Sequence, residues 1–171
     1  PGRFRYQDGF HVTACRSAPG AGIHGGALDA TKLLPRNGRI FFPAAGNLPY
    51  RRGGWSGTVS FWLKTNPDTM LPRNRASDPV QITEKGANNG GLWVDFTGTS
   101  PREIRLGAFR SEAPGRPRIP ESDPNAPLVR VPKVGFQAGD WHHVAFTWRN
   151  FDTGSDDAHA ALYLSLIHIS E

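Results

Sequence analysis

The sequence predicts an all-β fold, and three observations support this prediction. Glycine and proline are frequent, at 20 and 15 of 171 residues, and they separate short apolar runs. Such punctuation is typical of folds with many strands and turns. Two of the runs alternate apolar and polar residues with the period of two that strands show. No segment carries the apolar stripe of period 3.6 that an amphipathic helix requires.

The two alternating runs are Gly57–Thr65 and Trp141–Arg149. In the first run the aliphatic and Phe side chains share one face, whereas Trp62 lies with the polar residues on the other. In the second run Val144, Phe146 and Trp148 share one face. Both runs are rich in β-branched and aromatic residues, which favour strands. We expect Trp62 and Trp148 to contribute large buried areas to the core.

Shorter segments are also predicted to be strands: Gly38–Pro43, Val80–Glu84, Leu92–Phe96, Ile104–Phe109 and Ala160–Tyr163. The segments Leu92–Phe96 and Ile104–Phe109 are predicted to be neighbours. Their inward positions would then be Leu92, Val94, Phe96, Ile104 and Leu106. Alternation places the remaining large side chains, Trp93, Asp95, Arg105 and Phe109, together on the opposite face.

One domain with its own core is expected over residues 22–163, because 171 residues do not comfortably hold two. Residues 1–21 are rich in Gly, Arg and small side chains and are predicted to be a partly irregular entry segment. Residues 111–132 contain six prolines, so they cannot form a helix. We expect a long extended loop there, either functional or mobile.

The formal net charge of +5 raises the question of an acidic partner. Most of the basic residues are arginines scattered through predicted loops, and they do not line a helix face. Nucleic acid is therefore not an expected partner. The single cysteine, Cys15, excludes an internal disulfide. No run approaches the ~18 apolar residues of a membrane span, so direct membrane contact is not expected either.

Three motifs occur in order along the chain: Gly57–Lys64 (GTVSFWLK), Gly139–Trp148 (GDWHHVAFTW) and Leu162–Leu164 (LYL). Together with His24–Asp29 they resemble the laminin-G-like domains of the concanavalin A-like lectin and glucanase superfamily. The resemblance covers roughly residues 22–164. It implies a concanavalin A-like jelly-roll β-sandwich of two antiparallel sheets. It also implies a module of a larger extracytoplasmic bacterial protein, whether secreted, periplasmic or on the cell surface.

The family pattern breaks after Leu164, where an Asp-Gly turn is expected and the chain reads Leu164–Glu171 (LSLIHISE). This stretch resembles the conceptual translation of a transposase adapter used in preparing sequencing libraries. We therefore expect residues 164–171 to be a non-native tail on a sandwich that lacks its last strands. An exposed sheet edge and low solubility would follow. The alternative is a natural apolar strand, which the composition also favours.

The resemblance implies a non-catalytic module that recognises a carbohydrate or a partner protein. The alternative is a structural spacer or accessory domain attached to a catalytic or membrane-anchored region. Relatives that hydrolyse glycosides carry closely spaced acids on one strand, because two carboxylates must flank the scissile bond. Here Glu84, Glu103 and Glu112 stand alone, and Asp95 has no acidic neighbour two residues away. An enzyme is therefore not expected.

The candidate ligand-binding residues are Trp93, Asp95, Arg105 and Phe109. An exposed aromatic ring beside hydrogen-bonding groups is the minimum for glycan recognition, and these residues supply both on adjacent strands. The alternative is that the long loop or the second sheet covers this face. In that case the four residues would have a structural role.

Calcium is the cofactor that the resemblance suggests, since laminin-G-like domains often bind it. The densest acidic cluster is Asp152, Asp156 and Asp157, but no ligand set is assigned. Aspartates in glycine-rich loops also form Asx turns, which need no metal. The neighbouring His142 and His143 invite a metal or catalytic interpretation. The family pattern instead makes the histidine beside the valine a framework residue.

Overall fold

The structure is a computed structural model that describes residues 16–31, 46, 48–83, 90–108, 122–124, 126 and 128–165. Over these residues the chain is mostly β-strand, with one short helix, and the strands form antiparallel sheets. The all-β prediction is confirmed. The strands are β1 (Arg16–Gly22), β2 (Gly25–Asp29), β3 (Trp55–Leu63), β4 (Ser77–Thr83), β5 (Gly90–Phe96), β6 (Ile104–Ala108), β7 (Leu128–Val131), β8 (His142–Phe151) and β9 (His159–Ser165). The helix α1 spans Pro67–Met70.

The chain divides into two compact units, residues 1–50 and residues 51–171. In the first unit β1 and β2 form an antiparallel pair, with Arg16 opposite Asp29 and Ala18 opposite Ala27. The strand β2 covers most of His24–Asp29, the first segment of the resemblance. The strand β1 lies at the end of the predicted, partly irregular entry segment, and residues 1–15 of that segment lie outside the described residues. The predicted strand Gly38–Pro43 lies outside the described residues.

The second unit contains two sheets, with strand orders β3-β8-β9 and β4-β5-β6-β7. The two strongest predicted strands, β3 and β8, pair with each other, with Val59 opposite Phe146. The predicted neighbours β5 and β6 also pair, with Val94 opposite Leu106. Every pairing in both sheets is antiparallel.

The strand β7 corrects the prediction of an uninterrupted loop over residues 111–132. Leu128–Val131 pairs with β6, and Val129 lies opposite Leu106. Pro132, which follows the last residue of this four-residue strand, cannot donate a ladder hydrogen bond and so ends the pairing there. The sequence signal for this strand is the pair of apolar residues two positions apart, Val129 and Val131. The proline content on either side outweighed it.

The inward faces of the two sheets supply the buried core of the second unit. Leu92, Val94, Phe96, Ile104 and Leu106 are each no more than 1% exposed, as alternation predicted. The inward residues of β8, Val144, Phe146 and Trp148, are also buried. The prediction for Trp148 is therefore confirmed. Trp62 occupies an outward position of β3 and is only half-buried, which corrects the expectation that it belongs to the core.

Phe136, in the β7–β8 connection, joins the two sheets through ring contacts. Its ring meets Phe96 edge-on at 6.1 Å and stacks on His142 at 4.1 Å between centroids. His142 is 1% exposed, and its Nε2 accepts a hydrogen bond from the backbone N–H of Gln137 at 3.0 Å. His142 is thus a core residue with a structural role. Its neighbour His143 points to the opposite face of the sheet.

Arg102 joins the β3–β4 connection to the β5–β6 connection, and it is 2% exposed. Its guanidinium donates to the carbonyl oxygens of Arg75 at 3.1 Å and Pro72 at 2.6 Å, and also to that of Thr97. Its backbone N–H donates to Asp68 Oδ1 at 2.8 Å. Burying this charge is tolerated because carbonyl dipoles surround it.

Candidate functional site

Three of the four predicted ligand-binding residues lie together on the outward face of the four-stranded sheet. Trp93 and Asp95 belong to β5, Arg105 belongs to β6, and Asp95 lies directly opposite Arg105. Phe109 lies outside the described residues. The predicted grouping of these three side chains on one face follows from the register, but their environments differ from the expected exposed surface.

Asp95 and Arg105 form a two-pronged ion pair that is almost completely buried. Arg105 Nε donates to Asp95 Oδ1 at 2.8 Å, and the terminal nitrogen donates to Asp95 Oδ2. The side chains are 5% and 9% exposed. Both carboxylate oxygens therefore already accept hydrogen bonds. A ligand would have to displace this pair, which favours a structural role for it.

Trp93 is half-buried because its ring crosses the sheet and lies over Gly107, the residue opposite it on β6. A Cβ atom at Gly107 would overlap the six-membered ring of the indole. The missing side chain thus lets the ring lie flat along the sheet. Trp93 is thus partly accessible, but the carboxylate of Asp95 is already paired with Arg105.

An open depression of about 670 Å³ lies beside β7, lined by Ser122, Asp123, Pro124, Ala126, Leu128 and Arg130. The cation in this lining, Arg130, pairs with Glu103 at 3.2 Å. Its lining mixes polar and apolar side chains in an open depression, so its chemistry does not define a ligand.

The outward face of the three-stranded sheet, which we call the β3–β8–β9 face, carries a second group of exposed aromatic and polar side chains. Its outward positions are Thr58, Ser60 and Trp62 on β3; His143, Ala145, Thr147 and Arg149 on β8; and His159, Ala161 and Tyr163 on β9. Alternation with the core residues fixes this set.

The centre of the β3–β8–β9 face combines three rings with a hydrogen-bonded pair. Ser60 Oγ lies 2.7 Å from His143 Nε2. The ring of Trp62, opposite His143 in the register, lies 4.8 Å from the imidazole at an angle of 45°. Tyr163 lies opposite the small Ala145 and is 55% exposed. An exposed ring thus lies across a small residue from a fixed hydroxyl and imidazole.

Basic residues lie at both ends of this face. At one end Lys64 follows β3, and its Nζ lies 5.8 Å from the centroid of the Trp141 ring. At the other end Arg149 lies opposite His159. Arg149 and His159 are exposed.

Sequence reasoning missed the β3–β8–β9 face although it quoted the motifs that build it. The core role predicted for Trp62 follows from the size of its ring, since large rings in strands usually pack inside, whereas the framework role of His143 is what the resemblance implies. The usable signal was the alternation itself. In the alternation along β3, Trp62 falls on the same side as the polar residues Ser60 and Lys64. The core residues fall on the opposite side.

The Ser60–His143 contact does not form a hydrolytic site in the described part of the chain. An activated serine needs a base that a third group orients. Among the described residues no carboxylate contacts the His143 ring, which instead contacts Ser60 and Trp62. The pair offers hydrogen-bonding groups, and its geometry does not extend to a catalytic triad.

The surroundings of the Asp157 carboxylate do not resemble a calcium site, which has six to eight oxygen ligands. Asn150 Nδ2 donates to Asp157 Oδ2 at 2.7 Å, and Thr153 Oγ1 donates to Asp157 Oδ1 at 3.2 Å. The carboxylate thus stabilises its own loop. Within the described ranges no three His, Cys, Asp or Glu side chains lie close enough together to hold a metal ion.

Comparison with known proteins finds no match, whether to a family model, a curated protein or a solved structure. The described residues include no helix with the length and apolar character needed to cross a membrane.

Proposed function

We propose that this chain is a non-catalytic carbohydrate-binding module, with a laminin-G-like jelly-roll sandwich as its fold, and that the sugar docks on the β3–β8–β9 face. The observation that carries this proposal is the exposed Tyr163 ring beside the hydrogen-bonded Ser60–His143 pair. The ordered motifs in β3, β8 and β9 support the fold assignment.

A sugar presents apolar C–H surface on one side and hydroxyl groups around its edge. Aromatic side chains offer a matching apolar surface with a polar tip, and a few placed polar groups fix the ligand's orientation. On this face Tyr163 and Trp62 supply the rings, while Ser60 and His143 supply hydrogen-bonding atoms at a fixed separation of 2.7 Å. The strands hold all four side chains, so little ordering is required on binding.

The Trp93 surface is the second candidate for the same function. Its ring is partly accessible, as glycan recognition requires. Its expected polar partners Asp95 and Arg105 are paired with each other and buried. The β3–β8–β9 face is favoured because its polar groups are accessible beside its rings.

A glycan array with the 171-residue chain tests the proposal, using Tyr163→Ala and Trp93→Ala as paired variants. We expect Tyr163→Ala to weaken glycan binding about tenfold, which corresponds to about 1.4 kcal/mol. Trp93→Ala should leave affinity unchanged. Met70→Ala, another exposed apolar truncation at 44% exposure, is the control for nonspecific loss.

A loss of binding in Trp93→Ala with none in Tyr163→Ala would assign the sugar to the other sheet. Absence of binding to every glycan by the unsubstituted chain would refute the carbohydrate proposal. If the chain binds no glycan but does bind a partner protein, the protein-recognition alternative is favoured. If it binds neither a glycan nor a protein, the spacer role is favoured.

A further inference from the structure

We propose that the β3–β8–β9 face selects carboxylated polysaccharides, bound as an extended chain that runs along the strands. This inference rests on the proposed function and adds the charge class and the binding direction of the ligand. The juxtaposition that carries it is a row of rings and hydroxyl groups with basic residues at both ends.

The charge on this face is of one sign. Lys64 adjoins its outward positions and Arg149 occupies one, whereas no Asp or Glu occupies an outward position of β3, β8 or β9. In the part of the chain that the structure describes, neither Lys64 nor Arg149 has a carboxylate within ion-pair distance. Both cations are exposed and accessible to an anionic ligand.

The other sheet provides a direct contrast. Its outward cation Arg105 pairs with Asp95, and Arg130 pairs with Glu103. A cation on a sheet can therefore be neutralised by a nearby carboxylate in this fold, whereas no carboxylate among the described residues pairs with Lys64 or Arg149. A carboxylated sugar would gain a charge–charge attraction from these two cations that a neutral sugar would not gain.

The separation of the two basic ends implies an extended ligand. Trp141, which contacts Lys64, and Arg149 are eight positions apart along the β8 direction. At about 3.3 Å per residue this spacing corresponds to roughly 26 Å. A single sugar cannot contact both ends. A chain with a carboxylate on successive sugars can meet Lys64 and Arg149 while its middle lies over Trp62 and Tyr163.

The middle of the face suits sugar hydroxyl groups. Thr58 lies opposite Thr147, and Ser60 lies opposite Ala145. Thr58 and Ser60 precede Trp62 on the same side of β3, and Thr147 follows His143 and Ala145 on β8. The polymer's carboxylates would therefore contribute at the ends, and its hydroxyl and C–H groups in between.

The test uses the full chain with polygalacturonate and with the same polymer fully methyl-esterified, which keeps the backbone and removes the charge. We expect polygalacturonate to bind at least about tenfold more tightly in calorimetry at low salt. Raising the salt concentration should weaken polygalacturonate binding and leave binding of the ester nearly unchanged.

The double substitution Lys64→Gln with Arg149→Gln should remove this preference and leave ester binding intact. Arg73→Gln, an exposed cation outside the three strands, is the matched control and should change neither affinity. A folded double variant, verified by an unchanged thermal midpoint, that keeps the full preference would overturn the assignment of these cations.

The outcomes separate the two proposals. Equal binding of both polymers would retain the carbohydrate function and overturn the charge selection. Absence of binding to both, together with a negative glycan array, would remove the proposed function itself. Equal or tighter binding of single-stranded DNA would show a general affinity for polyanions and would also overturn the selection of carboxylated sugars.

Discussion

Gly57 lies directly opposite Trp148, and the absence of a side chain at Gly57 makes room for the buried indole. A Cβ atom at Gly57 would overlap the six-membered ring. The ring is confined on its other sides by Trp55 at 4.8 Å and Phe146 at 5.9 Å between centroids. This close approach lets one strand carry a large core residue without forcing its neighbour away.

We expect Gly57→Ala to lower the free energy of unfolding by about 1–3 kcal/mol, the range seen for overpacked cores. Trp148 is 2% exposed and cannot move aside. Chemical denaturation measures the change. Gly139→Ala is the control, since a Cβ atom there meets nothing within 4 Å. Equal stability of the two variants would show that the core accommodates the extra methyl group.

Gly107→Ala should cost less than Gly57→Ala, although the same overlap arises with Trp93. Trp93 is half-buried, so its ring can swing toward solvent where Trp148 cannot. We expect a destabilisation below about 1.5 kcal/mol, together with greater quenching of Trp93 fluorescence by a soluble quencher. A larger loss than in Gly57→Ala would mean that residues on the outward side hold Trp93 rigidly.

Removing one partner of the Asp95–Arg105 pair should be costly, because the remaining charge would stay buried. We expect Arg105→Met to destabilise the chain by about 3 kcal/mol, and Asp95→Leu by a similar amount. The double variant should be more stable than the sum of the single effects predicts, by about 2 kcal/mol. Additive losses in a denaturation cycle would show that Asp95 and Arg105 do not stabilise each other.

Arg102→Met should destabilise the chain by about 2–4 kcal/mol, since several buried carbonyl oxygens would lose their donor. The matched change Arg130→Met removes an ion pair whose side chains are 38% and 33% exposed. Its cost should stay below about 1 kcal/mol. Thermal unfolding compares the two variants. Similar losses would contradict the central role assigned to the Arg102 guanidinium.

The alternating segments predicted most of the described strands and the inward residues of β5 and β6, because the period of two follows directly from strand geometry. Backbone pairing at β1 left no comparable pattern. The role of Arg102 also could not be predicted from a pattern, because its partners are carbonyl oxygens that are distant in the sequence. The candidate site was harder to predict. The sequence shows that Asp95 and Arg105 share a face, but a single sequence does not show that they pair with each other.

The contacts of Arg102 constrain where the chain can change in length. The β3–β4 and β5–β6 connections both present carbonyl oxygens to one guanidinium, so an added residue in either would displace several hydrogen bonds. The β8–β9 connection is exposed and bonds mainly within itself. We therefore expect insertions, epitope tags and new chain termini to be accepted between Phe151 and His159 and rejected in the two connections that Arg102 joins.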